Sequence, residues 1–171
     1  MMSISRRLVR RPLVGFRDGL DARVNLTMDV WDVAPDGKLT LVRRIHRHNR
    51  VTTAGFNLLR NMLNGDAESG VLKFSVGTSA TAPAAGDTQL GTEVFRDTPL
   101  QKTKDVGKLT VKHYLSSTQA NGNTLAEAGL HCTGATASAN TGTLYARVTY
   151  TGIVKTTSVA VTYTWDLTWA V

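Results

Sequence analysis

Apolar and polar residues alternate over long stretches of this chain, and this alternation is the feature that most limits its fold. The longest stretch runs from Ser158 to Trp169, with valine, aromatic and leucine side chains on one face and mainly threonine on the other. Similar alternation occupies residues 22–34, 39–48, 109–115 and 143–150. A period of two residues is typical of a strand with one buried face. Many short strands separated by turn residues predict an all-β sandwich or barrel.

One segment, residues 53–63, has helical periodicity instead. Its apolar residues recur at spacings of three and four, which predicts a short amphipathic helix. The apolar face is formed by Phe56, Leu59, Met62 and Leu63, with Leu58 beside them. Thr52 or Thr53 should cap its start, and Asn64-Gly65 should end it. We expect this helix to cover the hydrophobic side of a sheet. The predicted fold class is therefore mainly β, an antiparallel β-sandwich that is jelly-roll-like and spans residues 21–171, with one short helix packed on the sheet.

Residues 1–20 are predicted to form an extended basic arm, because Pro12, Gly15 and Gly19 interrupt any regular element. The first 60 residues contain eleven arginines and one lysine against five acidic residues, whereas the remainder is balanced. This excess favours an acidic partner, either nucleic acid or an acidic protein surface. A solvated basic tail is the plainer alternative. The arm also carries apolar residues, which indicates that it docks on a partner such as a neighbouring subunit: Leu8, Val9, Leu13, Val14 and Phe16.

A second basic segment lies in a predicted hairpin. Residues 35–38 have the chemistry of a turn, and the strand after them contains the run RRIHRH over residues 43–48. A strand places such charges on both faces, so one face would meet an acidic partner. The plainer interpretation is an edge strand protected by charge. The residues predicted to bind a partner are Arg6, Arg7, Arg10, Arg11, Arg43, Arg44 and Arg47.

The middle of the chain predicts an ordered loop between two strands. Residues 71–76 form a buried strand, which turns at Gly77 into a loop of small residues. Asp87 and Thr88 are expected to start a short helical turn, pinned to the core by Leu90 and ended by Gly91. Glu127, among small residues, is predicted to be a buried carboxylate that binds a turn or a helix terminus. Asn121-Gly122 has the chemistry of a hairpin turn.

The sequence lacks the motifs that carry most known chemistry. It contains no GxxxxGK or GxGxxG phosphate loop, no GxSxG elbow and no HExxH pair. Its single cysteine, Cys132, excludes an internal disulfide, and its neighbour His131 should point to the opposite strand face. His46 and His48 share a strand face but have no evident third ligand for a metal. We therefore expect no enzyme activity, no metal, no cofactor and, without an apolar run of about 20 residues, no membrane span.

Four segments resemble a module common in structural proteins of tailed bacteriophages, such as tail-fibre, collar and minor virion proteins. These segments are residues 51–63, VTTAGFNLLRNML, then residues 76–93, VGTSATAPAAGDTQLGTE, then 120–130, ANGNTLAEAGL, and the closing strands from Leu144. The resemblance covers residues 52–171 well and 22–51 loosely. It does not extend to residues 1–20.

The resemblance implies a non-enzymatic structural protein located in the virion, whose partners are other phage virion proteins of the tail, portal, collar or capsid. Such appendages are often trimeric, so a homo-oligomer, most naturally a homotrimer, is expected. Two alternatives remain open: a capsid decoration (cement) protein, and a receptor- or glycan-binding fibre module in which Trp31, Trp165 or Trp169 lines a sugar site. The charge balance of residues 61–171, which carry no net charge, argues against nucleic acid as the partner.

Overall fold

The computed structural model describes residues 21–170, so the predicted arm with Arg6, Arg7, Arg10 and Arg11 lies outside the described residues. Strands make up 52% of the residues that the structure describes. The elements are, in chain order, β1 (Asp21–Val33), β2 (Leu39–His48), β3 (Arg50–Val51), α1 (Thr53–Asn64), β4 (Lys73–Gly77), β5 (Glu93–Asp97), β6 (Gln101–Asp105), β7 (Lys108–Leu115), β8 (Thr124–His131), β9 (Leu144–Val154) and β10 (Val159–Ala170).

The strands form two antiparallel sheets of five strands each. Sheet A has the order β2-β1-β10-β7-β6, and sheet B has the order β3-β9-β8-β4-β5. The predicted mainly β fold with one short helix is confirmed, and the architecture is consistent with a β-sandwich. Hairpins join neighbouring strands within a sheet, and the connections between hairpins carry the chain from one sheet to the other.

The core lies between the inner faces of the two sheets. Phe74 of sheet B stacks on His113 of sheet A with ring centroids 4.5 Å apart, and it also contacts Tyr163 at 4.8 Å. The hydroxyls of Tyr150 and Tyr163 lie 3.0 Å apart across the same interface. The alternation predicted for β10 is confirmed, because Val161, Tyr163, Trp165 and Leu167 are all buried. These contacts between aromatic rings hold the sheets face to face.

The first hairpin has the predicted bounds but not the predicted burial. Strand β2 is an edge strand of sheet A, as the charge-protection interpretation required. A β-bulge between Val30 and Trp31 shifts its register, so Leu39, Leu41 and Val42 are exposed and only Ile45 of this strand is buried. The other predicted hairpin, at Asn121-Gly122, was wrong: this loop connects β7 in sheet A to β8 in sheet B.

Helix α1 is capped as its sequence predicts. The Thr52 side chain accepts a hydrogen bond from the Gly55 amide at 2.9 Å, and Gly65 ends the helix with φ +87°. The predicted face is confirmed at Leu58, which is buried, and at Leu59, which packs against the core, but it was wrong at Phe56 and Leu63, which are exposed. Gly55, which was not predicted, is also buried. The Gly55 backbone packs directly on the Tyr145 carbonyl of β9, where a methyl group would clash. No helix in residues 21–170 is long and apolar enough to cross a membrane.

Candidate functional site

The outer face of sheet B is covered by residues 78–92, which we call the clasp loop. Glu127 of β8 lies on this face and is fully buried. Its carboxylate accepts hydrogen bonds from the amides of Gly91 at 2.9 Å, Thr92 at 2.8 Å and Ser79 at 3.3 Å. These amides belong to both ends of the clasp loop, so one side chain closes the loop on the sheet. The prediction that Glu127 is a buried carboxylate that binds a turn is confirmed.

Arg147 of β9 lies beside Glu127 and extends the same network. Its guanidinium donates to the Glu127 carboxylate at 2.9 Å, to the Asp87 carboxylate at 2.7 Å and to the Thr81 carbonyl at 3.1 Å. Burial alone would lower the pKa of Arg147, but the hydrogen bonds to Asp87 and Glu127 outweigh it and raise that pKa. The network therefore stabilises charged side chains in a nearly dry position.

Asp87 completes the network from the clasp loop. It accepts a hydrogen bond from the Ala84 amide at 2.9 Å, which closes a tight turn within the loop. Burial raises the pKa of Asp87, but the hydrogen bonds from Arg147 and Ala84 lower that pKa by more than burial raises it. The net shift of the Asp87 pKa is therefore downward. The predicted helical turn after Asp87 is absent, whereas the predicted anchor Leu90 is buried. The three charged groups bind one another and the loop backbone, and this arrangement fixes the shape of the loop.

A second polar cluster lies further along the same face. Ser75 Oγ and His131 Nε2 are 2.7 Å apart, and both residues are buried. Arg96 lies against the imidazole, with Nη2 3.3–3.4 Å from both ring nitrogens, and forms an ion pair with Glu93 at 2.6 Å. Burial, followed by the charge of Arg96, lowers the pKa of His131 to about 4. The imidazole is therefore neutral near pH 7 and acts as a hydrogen-bonding spacer between Ser75 and Arg96.

The structure separates the three predicted partner-binding arginines of β2. Arg44 lies on the outer face of sheet A, where it binds both carboxylate oxygens of Asp29 at 2.5 and 2.9 Å. Arg43 and Arg47 lie on the opposite side of the strand and both reach Thr151 of β9 at 3.5 Å. Within residues 21–170, neither Arg43 nor Arg47 forms an ion pair with a carboxylate. These two arginines therefore form a cationic groove of about 300 Å³ along the edge of the sandwich.

The histidines of β2 hydrogen-bond to neighbouring strand residues. His46 Nδ1 lies 3.0 Å from Thr27 Oγ1, and His48 Nδ1 lies 2.7 Å from Asn25 Oδ1. No group of three or more histidine, cysteine, aspartate or glutamate side chains gathers in the described part of the chain in a way that could hold a metal ion.

The residues His131 and Cys132 point to opposite sides of sheet B, as expected for neighbours in a strand. His131 faces the polar cluster with Ser75, whereas Cys132 faces the interior, where burial raises the pKa of its thiol to about 12. The three tryptophans have different surroundings. Trp165 is fully buried, whereas Trp31 and Trp169 are half-buried, and Trp31 donates a hydrogen bond to Thr162.

We found no matching protein-family model, no matching curated protein and no matching solved structure.

Sequence reasoning missed the residues that face Glu127 and His131. Alternation was predicted for residues 143–150, but no role was predicted for Arg147, which lies in that stretch. The signal that identifies this covered face is glycine: Gly129 pairs with Arg147, and Gly77 pairs with Glu127. A glycine opposite a long charged residue in the neighbouring strand leaves space above the sheet, and a loop can pack in that space.

Proposed function

We propose that this protein is a non-enzymatic structural component of a tailed-phage virion. It assembles into the tail, collar or fibre attachment apparatus through its basic N-terminal arm and the edge of its sandwich. The resemblance of residues 52–171 to phage structural proteins supports this proposal. The fold agrees with it, because a compact sandwich with fixed loops is suited to holding a constant shape between neighbours.

The observation that carries the docking role is the open edge of sheet A. Strand β2 has ten residues and, within residues 21–170, pairs on one side only, with β1, so its other side presents backbone groups there. Such an edge is a template for another strand unless it is protected. Arg43 and Arg47 lie along this edge without acidic partners within residues 21–170. The edge therefore matches a partner that supplies carboxylates, and this partner is another virion protein or a second copy of the chain.

The homotrimer remains part of the proposal and also depends on the sheet edges. Sheet A has a second edge at β6, which is fully exposed and carries Lys102 and Lys104. Two basic edges repel each other, so identical subunits are not expected to join β2 directly to β6. A trimer would instead use one of these edges against a different, less basic part of the neighbouring subunit.

The test is a charge reversal at the edge. We expect the double variant R43E/R47E to fold normally, because both side chains are exposed, and to be incorporated into particles about tenfold less well or worse, since reversed charges repel an acidic partner. Incorporation is measured by quantifying the protein in purified phage particles whose genome carries the variant. Deletion of residues 1–20 tests the arm in the same assay.

The matched control is R60E/K112E, which changes the net charge equally at two exposed basic residues that lie away from both edges of sheet A. It should be incorporated like the unchanged protein. Normal incorporation of R43E/R47E, or an equal loss in the control, would contradict the role of this edge. The copy number in the same particles separates the positions: a few copies agree with a tail or collar part, whereas hundreds would indicate a capsid decoration protein.

A further inference from the structure

Two unpaired strand edges border the cationic groove that contains Arg43 and Arg47. The chain leaves sheet A after β2 and joins sheet B as β3, which pairs with β9 only at Ala146 and Arg147. The rest of β9, residues 148–154, pairs with β8 alone within residues 21–170. Strand β2 likewise pairs with β1 alone in this part of the chain. The groove therefore presents backbone groups from one strand of each sheet, and an extended segment can bond to such groups.

The side chains of β2 on the groove side follow the order arginine, isoleucine, arginine. Arg43, Ile45 and Arg47 lie at alternate positions, so they share one face of the strand. This face is the one toward the core, since Ile45 pairs with Met28 of β1. Ile45 is buried, whereas the arginines on either side of it are exposed and reach Thr151 of β9. An apolar position thus lies between two cations.

None of the described residues that line this groove is acidic. Arg44 also borders it, but its guanidinium lies on the other face of β2 and is paired with Asp29. Arg43 and Arg47 have no carboxylate partner within residues 21–170. Partners that bind specifically place charges of opposite sign against each other. The groove therefore fits an occupant that brings one carboxylate to each of these two arginines.

We propose that the groove binds an extended acidic segment of another protein, which adds to β2 as a further strand. Opposite residues of paired strands lie side by side on the same face. The segment therefore carries an acidic residue opposite Arg43, an apolar residue opposite Ile45 and an acidic residue opposite Arg47, at alternate positions. This order reads the same in both directions, so a parallel and an antiparallel strand both fit it. The inference rests on the proposed function, because it names the chemistry of the partner that this edge takes.

A second copy of the chain does not supply such a segment. Acidic residues four positions apart occur at two places in the sequence, residues 32–36 and residues 93–97. The first of these runs into the turn between β1 and β2, where the Ala34 amide bonds to the Lys38 carbonyl. In the second, the Glu93 side chain is 2% exposed and forms an ion pair with Arg96. The partner is therefore a different protein, and the β6 edge is left for contacts between copies.

The test uses two threonine-rich peptides of identical composition and the purified full chain. The patterned peptide has a central valine with a glutamate at the second position on either side, and the shifted peptide has both glutamates next to the valine. Binding is followed by NMR shifts of the β2 amides. We expect the patterned peptide to bind about tenfold more tightly or better, since only its carboxylates meet both arginines. Its complex should also slow hydrogen exchange of the β2 amides that face the groove.

Exchange of the charges provides the control. The variant R43E/R47E should bind the patterned peptide about tenfold less well or worse, and it should instead bind the version in which lysines replace the glutamates. The variant R60E/K112E changes the net charge equally at exposed residues away from the groove. It should bind the patterned peptide like the unchanged chain.

Equal affinity for the patterned and shifted peptides would overturn the proposal, since the arginines would then only protect the edge. Tighter binding of a single-stranded DNA of the same charge, or self-association of the chain that R43E/R47E abolishes, would also overturn it. The proposed function fails separately. Poor incorporation of R43E/R47E into particles without binding of the patterned peptide would contradict this inference alone. Binding of the peptide together with normal incorporation of R43E/R47E would contradict only the role of the edge in the virion.

Discussion

The outer faces of the two sheets differ in how far their polar and charged side chains are exposed. On sheet A, pairs such as Thr27 with Thr164 and Asn25 with Asp166 form polar rows across β1 and β10, and these side chains are half-buried or exposed. On sheet B, the clasp loop covers Glu127 and Arg147, whose side chains are at most 4% exposed. Charge on sheet A thus meets water or a partner, whereas charge on sheet B organises the protein itself. The same residue types have different consequences because only one face is covered.

The largest expected effect on stability comes from replacing Arg147 on the covered face of sheet B. Replacing Arg44 on the open face of sheet A provides the comparison. The variant R147M removes the guanidinium that pairs with Glu127 and leaves a carboxylate buried without its counter-charge. Breaking a buried pair from one side costs about 3–5 kcal/mol, so we expect the free energy of unfolding to fall by that amount in chemical denaturation. The matched variant R44M breaks the exposed pair with Asp29 and should change stability far less. Equal losses in the two variants would remove the distinction between the faces.

The second prediction is that the protein loses stability as the pH falls, because His131 is buried as a neutral imidazole. Burial lowers the pKa of His131 to about 4, whereas an unfolded histidine titrates near 6.5, so the unfolded chain binds the proton more tightly. The stability contributed by neutral His131 is therefore complete above about pH 6.5 and is lost as the pH falls toward 4, by about 3 kcal/mol. His113, whose pKa burial also lowers, acts in the same direction. Denaturation between pH 8 and 4 measures this slope, and H131Q should flatten it. An unchanged slope in H131Q would show that His131 does not titrate as described.

A smaller effect is expected from a glycine under the clasp loop. A methyl group at Gly77 would meet the Thr92 carbonyl and the Glu127 carboxylate, so G77A should force the loop away from sheet B. Overpacking of this kind costs about 1–3 kcal/mol. Thermal denaturation measures the loss, and limited proteolysis should cut within residues 78–92. The control G86A places its methyl in open space within the same loop. If G86A destabilises as much as G77A, the close approach is not the cause.

The smallest effect on stability is expected on the open face of sheet A. Thr164 is half-buried there and lies between Thr27 and Lys112 in neighbouring strands. The variant T164V should change the free energy of unfolding by about 0.5 kcal/mol or less, because valine suits a strand and no buried group loses a partner. A loss of several kcal/mol in denaturation would mean that this face is covered.

Local signals in the sequence predicted most strands and the helix, since alternation and caps act over a few residues. The bounds of β2 and the caps Thr52 and Gly65 agree with the predictions. The predicted helix face was wrong at Phe56 and Leu63, because the closest contact of the helix is made by Gly55, which has no side chain to enter an apolar pattern. The loop at Asn121 was assigned to a hairpin from its turn chemistry. The assignment was wrong because turn chemistry does not show whether the next strand stays in the same sheet.

The polar clusters were only partly predictable from the sequence. Glu127 stood out as a lone carboxylate among small residues, which leave space for a loop. Its partner Arg147 is 20 residues away, and Asp87 is 40 residues before Glu127, so only the folded sheet brings the three together. The arginines of β2 were predicted as one group, but the strand divides them: Arg44 is neutralised by Asp29. Whether Arg43 and Arg47 bind a partner remains a prediction.

The pairing of β1 with β10 also bears on how the protein is made. These strands are the first and the tenth along the chain, yet they lie side by side near the centre of sheet A. During synthesis, β1 cannot pair with β10 until most of the polypeptide has left the ribosome. The strands of sheet B all leave the ribosome before β10 and can begin to pair with one another first. Contacts between such distant segments form slowly. A newly made molecule therefore presents the uncovered inner faces of its first hairpin until translation is nearly complete, and chaperones have their opportunity to bind during that interval.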